Sequence, residues 1–192
     1  MTAVEPRTRS WTREEYVRLG ELGLFREQRV QLVEGDIIEM SPQSSRHAAA
    51  VRLMCLALDR VFGTGYDVRC QLPLDLGEHS QPEPDIAVVE GTPRDYAAHH
   101  PATASLVVEV ADTSLAYDQT AKKSLYARAG VPEYWVLDLI SRRLEVYRQP
   151  APDESQPFAC GYSEQETVEE AGQAVPLRSP EAQGIAVSEI LP

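Results

Sequence analysis

The sequence predicts an α/β domain, a mixed β-sheet flanked by helices with a β-hairpin near its amino end, and three observations carry the prediction. SLVVEV (105–110) is a short valine-rich run of the kind buried on both faces of a sheet. It is followed by LAYDQTAKKSLYARAG (115–130), with helical spacing, and by a second apolar run, EYWVLDL (133–139). Strand, helix and strand in that order make a crossover unit joining parallel strands. The third observation is SRHAAAVRLMCLALDRVFG (45–63), which sets Val51, Met54, Cys55, Leu58 and Phe62 on one stripe of a helix ended by Gly63.

The remaining elements follow in chain order. TREEYVRLGEL (12–22) has Tyr16, Leu19 and Leu22 on one side and acids in its first turn, so it reads as a helix. VQLVEGDIIEM (30–40) reads as two short strands around Glu34-Gly35-Asp36, where glycine supplies a positive φ. YDVRCQLPLDL (66–76) and DIAVVE (85–90) are strand-like runs separated by proline- and glycine-rich loops. Asp112, Thr113 and Ser114 are capping residues for the helix that follows. RRLEVYRQ (142–149) lies one short turn beyond 133–139, which suggests an antiparallel pair. PAPDESQP (150–157) reads as a loop, and FACGYSEQETVEE and GIAVSEILP as weak strands or a terminal turn.

At 192 residues the chain suits one domain, residues 1–192, with a core at about 12–149 and an acidic extension, 150–192, packing on it. No apolar stretch reaches the roughly 20 residues of a membrane span. The amino-terminal MTAVEPRTRSWTREE lacks the apolar centre of a secretory signal, so the expected location is cytoplasmic. Cys55, Cys70 and Cys160 are widely spaced and form no CxxC pair, which argues for reduced structural thiols rather than a disulfide framework or thiolate zinc site. The net charge of −12 argues against a protein that coats nucleic acid by bulk electrostatics. Eight acids against Arg178 give residues 150–192 a net of −7, leaving −5 for the first 149, which is compatible with a local basic groove.

Glu109 is the residue out of place. A carboxylate among Leu106, Val107, Val108 and Val110 disrupts the fold or shifts its pKa unless a neighbour makes its charge useful. Asp85 stands directly after Pro84 and before an apolar run, which presents a carboxylate at a strand start, although aspartate at such a junction is also common in loops. Two successive strands bearing such acids can bring together two hard oxygen ligands of the kind Mg²⁺ takes. In the helix, Asp118, Lys122 and Tyr126 lie four residues apart on one face, with Lys123 about 100° away. The same spacing also describes an ordinary exposed Asp118–Lys122 ion pair. His47 falls on the apolar stripe of its helix, either as a core histidine or as a group beside the acids. Gln71 either reaches the same site or bonds a loop. His79, His99 and His100 read as solvated loop residues, and Tyr134 and Trp135 as sheet-packing aromatics.

Together these segments, VQLVEGDIIEMSP, His47, PEPDIAVVEG and the block LVVEVADTSLAYDQTAKKSLYARAGVPEYWVLDLISRRLEVYR, resemble the putative restriction endonuclease family within the PD-(D/E)XK nuclease superfamily. The resemblance implies a restriction-endonuclease-like fold and a metal-dependent endonuclease that hydrolyses phosphodiester bonds, with DNA as the expected substrate. It implies Asp85 and Glu109 as catalytic acids, Lys122 as the catalytic lysine in preference to Lys123, and Mg²⁺, replaceable by Mn²⁺, on Asp85, Glu109 and the carbonyl of Val110. His47, Gln71, Asp118 and Tyr126 are accessory candidates. The chain departs from the superfamily at Ala111, where the acid-any-lysine triplet has its lysine, and at Gln31, where relatives are expected to carry glutamate. With so few positive groups, a grip on DNA calls for a homodimer that gathers Arg128, Arg142 and Arg143 into a patch. The competing reading is a catalytically silent module of the same fold that binds nucleic acid or a protein partner. An acid–base hydrolase using Asp85 and Glu109 without metal has less support, because nothing else points to a sugar or acyl substrate.

Overall fold

The computed structural model describes residues 8–192, so the first part of the amino-terminal stretch lies outside the described residues. Six strands form the main sheet in the order β3 (Tyr66–Cys70), β4 (Ile86–Glu90), β5 (Leu106–Ala111), β6 (Glu133–Asp138), β7 (Arg143–Pro152) and β8 (Cys160–Glu169). Only β5 and β6 are parallel; the other neighbours are antiparallel. The sheet is therefore mixed, and β5 and β6 are buried along their whole length, which is why their sequences are nearly continuous apolar runs.

Alternation along the central strands feeds two cores. Ile86, Val88, Leu106, Val108, Val110, Trp135 and Leu137 face α2 (Ser45–Phe62). Ala87, Val89, Val107, Ala111, Tyr134 and Val136 face the other side, with Leu125 and Tyr126 from α4 (Lys123–Arg128). Tyr134 and Trp135 are fully buried packing groups, as their strand position predicts.

The hairpin β1 (Val30–Val33) and β2 (Asp36–Glu39) forms as expected, with Glu34 and Gly35 at φ 49° and 87° in its two-residue turn. It attaches to the chain leading into β4 through paired backbone bonds between Leu32 and Gln81. Helix α1 (Arg13–Glu21) starts with a capping box between Thr12 and Glu15 but buries no residue, and Leu22 is exposed rather than packed. Tyr16 anchors α1 by donating to the carbonyl of Val30 at 2.8 Å.

Three boundaries differ from the sequence expectation. The run 66–76 stays in the sheet only to Cys70: Gln71 takes φ 52°, and the chain turns so that Leu74 is buried in the second core. β7 runs on through Pro152 into the stretch read as a loop, and residues 160–169 form the full edge strand β8. Beyond it, β9 (Gln173–Ala174) pairs with β10 (Ile185–Ala186), and α5 (Val187–Ile190) closes the first core with Val187, Ile190 and Leu191. The helix between β5 and β6 also differs. α3 (Leu115–Tyr117) passes into a π-helical turn at Asp118–Lys122 before α4 resumes, and such turns inside α-helices are often found at functional sites.

No helix among the described residues is long and apolar enough to cross a membrane. All three cysteines are free thiols.

Candidate active site

The register of the sheet brings the two acids together. Ile86 pairs with Val108 across β4 and β5, so Asp85, one residue before β4, stands across from Glu109. Its backbone N–H donates to Glu109 Oε2 at 3.3 Å, and the N–H of Val110 donates to Asp85 Oδ2 at 2.9 Å. Glu109 belongs to the Val107–Ala111 side of β5, so it points toward the helix rather than toward α2. There Lys122 Nζ lies 2.8 Å from Glu109 Oε1 and 3.8 Å from Asp118 Oδ1, and Tyr126 donates its hydroxyl to Glu109 Oε1 at 2.8 Å. The Asp118–Lys122 pair is therefore buried, not the exposed pair its spacing also allowed. Lys123 turns away, its ammonium 5.1 Å over the ring of Tyr147.

The accessory candidates converge as well. His47 Nε2 lies 3.1 Å from Asp85 Oδ2, and Gln71 Nε2 donates to Asp85 Oδ1 at 3.3 Å. Gln71 reaches the acid from a left-handed backbone position while its own N–H donates to the carbonyl of Asp85 at 3.0 Å. Ser44 caps α2 by accepting from the N–H of His47, and its hydroxyl donates to Asp112 at 2.7 Å. That bond ties the start of α2 to the segment following β5, and it holds His47 over the acids.

Three carboxylates, Asp85, Glu109 and Asp118, thus surround one ammonium. Burial pushes the Glu109 carboxyl up to about 8 despite Lys122, and burial raises Asp118 as well. Burial also acts to raise Asp85, but the hydrogen bond and charge of His47, with Lys122 and the N–H of Val110, hold it below the usual carboxylate range. Burial would lower Lys122, yet the three acids raise it above the ordinary lysine value, so it stays an ammonium. The ion pair leaves an excess of negative charge that either a proton or a bound cation relieves.

The group opens on a recess of about 330 Å³ whose walls include Arg29, Gln31, Asp112, Ser114 and Tyr117. Among the described residues no three histidine, cysteine or acidic side chains make a ready cage. The donor set is instead two hard carboxylates facing an open recess. That fits Mg²⁺ or Mn²⁺, which bind through one or two carboxylates with water and substrate phosphate completing the shell. Two side-chain atoms of residues that border the recess, His47 Nδ1 and the Tyr117 hydroxyl, are buried without a hydrogen-bond partner.

Sequence reasoning missed Tyr117, Ser114 and Asp112 as walls of the site. The only local signal was the cap-like run Asp112-Thr113-Ser114, and Ser114 proves to donate to Asp118 Oδ2 at 2.5 Å rather than cap the helix. Gln31 does reach the recess, where its side-chain oxygen accepts from the N–H of Glu83. His79 is not a solvated loop residue: it is half-buried, with Nδ1 2.8 Å from the carbonyl of Trp11. The arginines expected to form a basic patch are each paired within the chain, Arg128 with Glu34, Arg142 with Glu170, and Arg143 with Glu145. None of the three is a free charge waiting for phosphate.

Comparison with known proteins places this geometry in context. The family model Uma2, described as putative restriction endonuclease, matches residues 13–183. The crystal structure of a putative nuclease belonging to DUF820 from Anabaena variabilis is similar over 93% of this chain and 96% of that one, with a TM-score of 0.68 and 16% identity. At that identity the likeness speaks for the fold. No curated protein matches the sequence.

Proposed function

From the premise that the chain belongs to the Uma2 family of putative restriction endonucleases, we propose that it is a divalent-metal-dependent endonuclease that hydrolyses phosphodiester bonds of nucleic acid, DNA first among them. One observation carries the reading: Asp85, Glu109 and Lys122, from three separate segments, meet at one recess with the lysine ammonium 2.8 Å from Glu109.

Asp85 and Glu109 would hold Mg²⁺, or Mn²⁺ in its place, with the carbonyl of Val110 as the further oxygen that the family resemblance suggests. When bound, the ion supplies Lewis acidity toward a phosphate oxygen and lowers the pKa of a nearby water. The rest of the work falls to the chain. His47 and Gln71 fix the orientation of Asp85, and Tyr126 that of Glu109. Such supporting bonds set the basicity and aim of ligating groups. Lys122 offers its ammonium to the charge that develops on the phosphate, or orients the attacking water. In the reaction the water oxygen bonds to phosphorus and one P–O ester bond breaks. The departing oxygen takes a proton, leaving a phosphomonoester and a hydroxyl end.

The test is cleavage of supercoiled plasmid, and of single-stranded and duplex oligonucleotides, by the purified chain in Mg²⁺ or Mn²⁺. Nicking should vanish in Glu109→Ala and in Lys122→Ala. Equal cleavage by the parent and both variants would overturn the assignment. Light scattering on the same sample tests the companion proposal that the working form is a homodimer.

Gln31 supports a second reading, a catalytically silent module that keeps the fold to bind nucleic acid or a protein partner. It lines the recess as a neutral amide where relatives are expected to carry an acid. Calorimetry separates the two: absence of Mg²⁺ or Mn²⁺ uptake sensitive to Asp85→Ala favours the silent module.

A further inference from the structure

Cys55, Cys70 and Cys160 are far apart in sequence, yet two of them meet in the fold. On β3, Tyr66 and Val68 pack against the first core, and because side chains alternate along a strand, Cys70 turns to the same face. Its partner across β4 is Ile86, another member of that core. Cys55 enters the same core from α2, and the two thiols share a hydrogen bond there. Cys55 is buried, at 5% exposure, whereas Cys70 is exposed at the end of its strand. One thiol is open to a small solute, and the other stands behind it.

The surroundings favour a reactive thiolate at Cys70. The hydrogen bond from Cys55 holds its pKa below the ordinary thiol range, with help from the charges of Arg52 and Arg29 and against burial and the charge of Asp85. Cys55 is held above that range, first by the same hydrogen bond and then by burial. An exposed thiolate beside a second thiol is the pairing of an attacking with a resolving cysteine.

We propose that Cys55 and Cys70 form a dithiol site that takes peroxide as its oxidant and closes to a disulfide. The Cys70 thiolate attacks one peroxide oxygen, the O–O bond breaks, and hydroxide departs to take up the proton that the thiol had released. Cys70 is left as the sulfenic acid. The Cys55 sulfur then bonds to the Cys70 sulfur, the S–O bond breaks, and the hydroxyl leaves as water with the Cys55 proton. Two thiols and one hydrogen peroxide thus give one disulfide and two waters, two electrons passing from sulfur to oxygen.

The new bond bears on the candidate active site. Gln71, the residue after Cys70, donates to Asp85 Oδ1 at 3.3 Å, and His47, about two turns before Cys55 on α2, lies 3.1 Å from Asp85 Oδ2. Cys55 is fixed in a packed core, so closing the sulfurs to about 2.05 Å draws the end of β3 toward α2. Resting on the metal reading of Asp85, oxidation then loosens the Gln71 bond and lowers Mn²⁺ affinity about tenfold.

The test treats the reduced full chain with one equivalent of hydrogen peroxide, alkylates it under denaturing conditions and maps the products by mass spectrometry. The parent and Cys160→Ala should each lose two alkylatable thiols and yield one peptide pair joined through Cys55 and Cys70, released by dithiothreitol. Cys55→Ala should stop at the sulfenic acid of Cys70, trapped by dimedone, and Cys70→Ser should leave Cys55 unoxidised. A parent that keeps all its thiols free, a bond through Cys160, or two chains joined at Cys70 overturns the proposal. Mn²⁺ titration of the oxidised and reduced parent reads the link to Asp85, and equal affinities overturn that link. A reduced parent that binds no Mn²⁺ refutes the metal reading and the link together, while the dithiol site stands or falls on the mass map alone.

Discussion

Replacing Lys122 by methionine isolates the charge balance of the site from its chemistry. The ammonium lies 2.8 Å from Glu109 and 3.8 Å from Asp118, and the three side chains are 8%, 2% and 3% exposed. Removing one partner of a buried pair typically costs about 3–5 kcal/mol, because the other charge is left uncompensated. Glu109 can escape part of that cost by taking a proton, toward which burial already drives it, and it keeps the Tyr126 hydroxyl. The loss for Lys122→Met should therefore sit near the lower end, about 3 kcal/mol, or roughly 6–12 °C in thermal midpoint for a chain of this size. Glu109→Gln should cost less, about 1–2 kcal/mol, since Lys122 retains Asp118. In the double variant Glu109 no longer carries a carboxylate and only Asp118 is left facing the missing ammonium, so the combined loss should fall about 1 kcal/mol or more short of the sum of the singles while cleavage stays absent. Urea unfolding followed by circular dichroism supplies all four values. A Lys122→Met variant as stable as the parent, or a double variant whose loss equals the sum of the singles, would refute the account of the cluster.

Further outcomes follow from the same cluster. Glu109 has a folded pKa of about 8 against an ordinary value of 4.5, so the folded state binds the extra proton between those pH values. Its contribution to stability is complete below about pH 4.5 and is lost as pH rises toward 8, and the slope should disappear in Glu109→Gln when unfolding is measured across that range without metal. Divalent ion binding at pH 7 should release about one proton, detectable by calorimetry in buffers of different ionisation enthalpy; no release would mean that Glu109 is already ionised. Gln71→Ala and His47→Ala should each weaken Mn²⁺ binding by about 10–100-fold through loss of the bonds that hold Asp85, and unchanged titrations would remove them from the site. Arg142→Ala should change oligonucleotide affinity less than about twofold, because its guanidinium is held by Glu170, and a large loss in an anisotropy titration would show that the pair opens for phosphate.

Several parts of the site were legible because their causes are local. Glu109 interrupts a run whose apolar residues demand burial, so the sequence itself marks a charge there as needing a partner. Asp85 after Pro84, and Lys122 four residues beyond Asp118, were equally visible in the order of residues. Gln71 was harder, since nothing in YDVRCQLPLDL announces that the strand stops at Cys70 and that the next residue adopts positive φ. Tyr117 carried no signal, because its unbonded hydroxyl is a property of what surrounds it. The strand β8 was faint in sequence: its outward residues are polar and its inward ones few, and pairing with β7 rather than apolar pattern makes it part of the sheet.

By itself the sequence determined the α/β class, the hairpin turn at Glu34-Gly35, the long helix from Ser45, and the identity of the acids and lysine worth following, because periodicity, turn chemistry and burial preference act over a few residues. Only the tertiary structure decided that Asp85 faces Glu109 across β4 and β5, that a π-helical turn carries Lys122 to both Glu109 and Asp118, and that Arg128, Arg142 and Arg143 are already paired. Those outcomes depend on strand register and on which distant segments share a face. They are fixed by the packing of the whole chain, not by any short stretch of it.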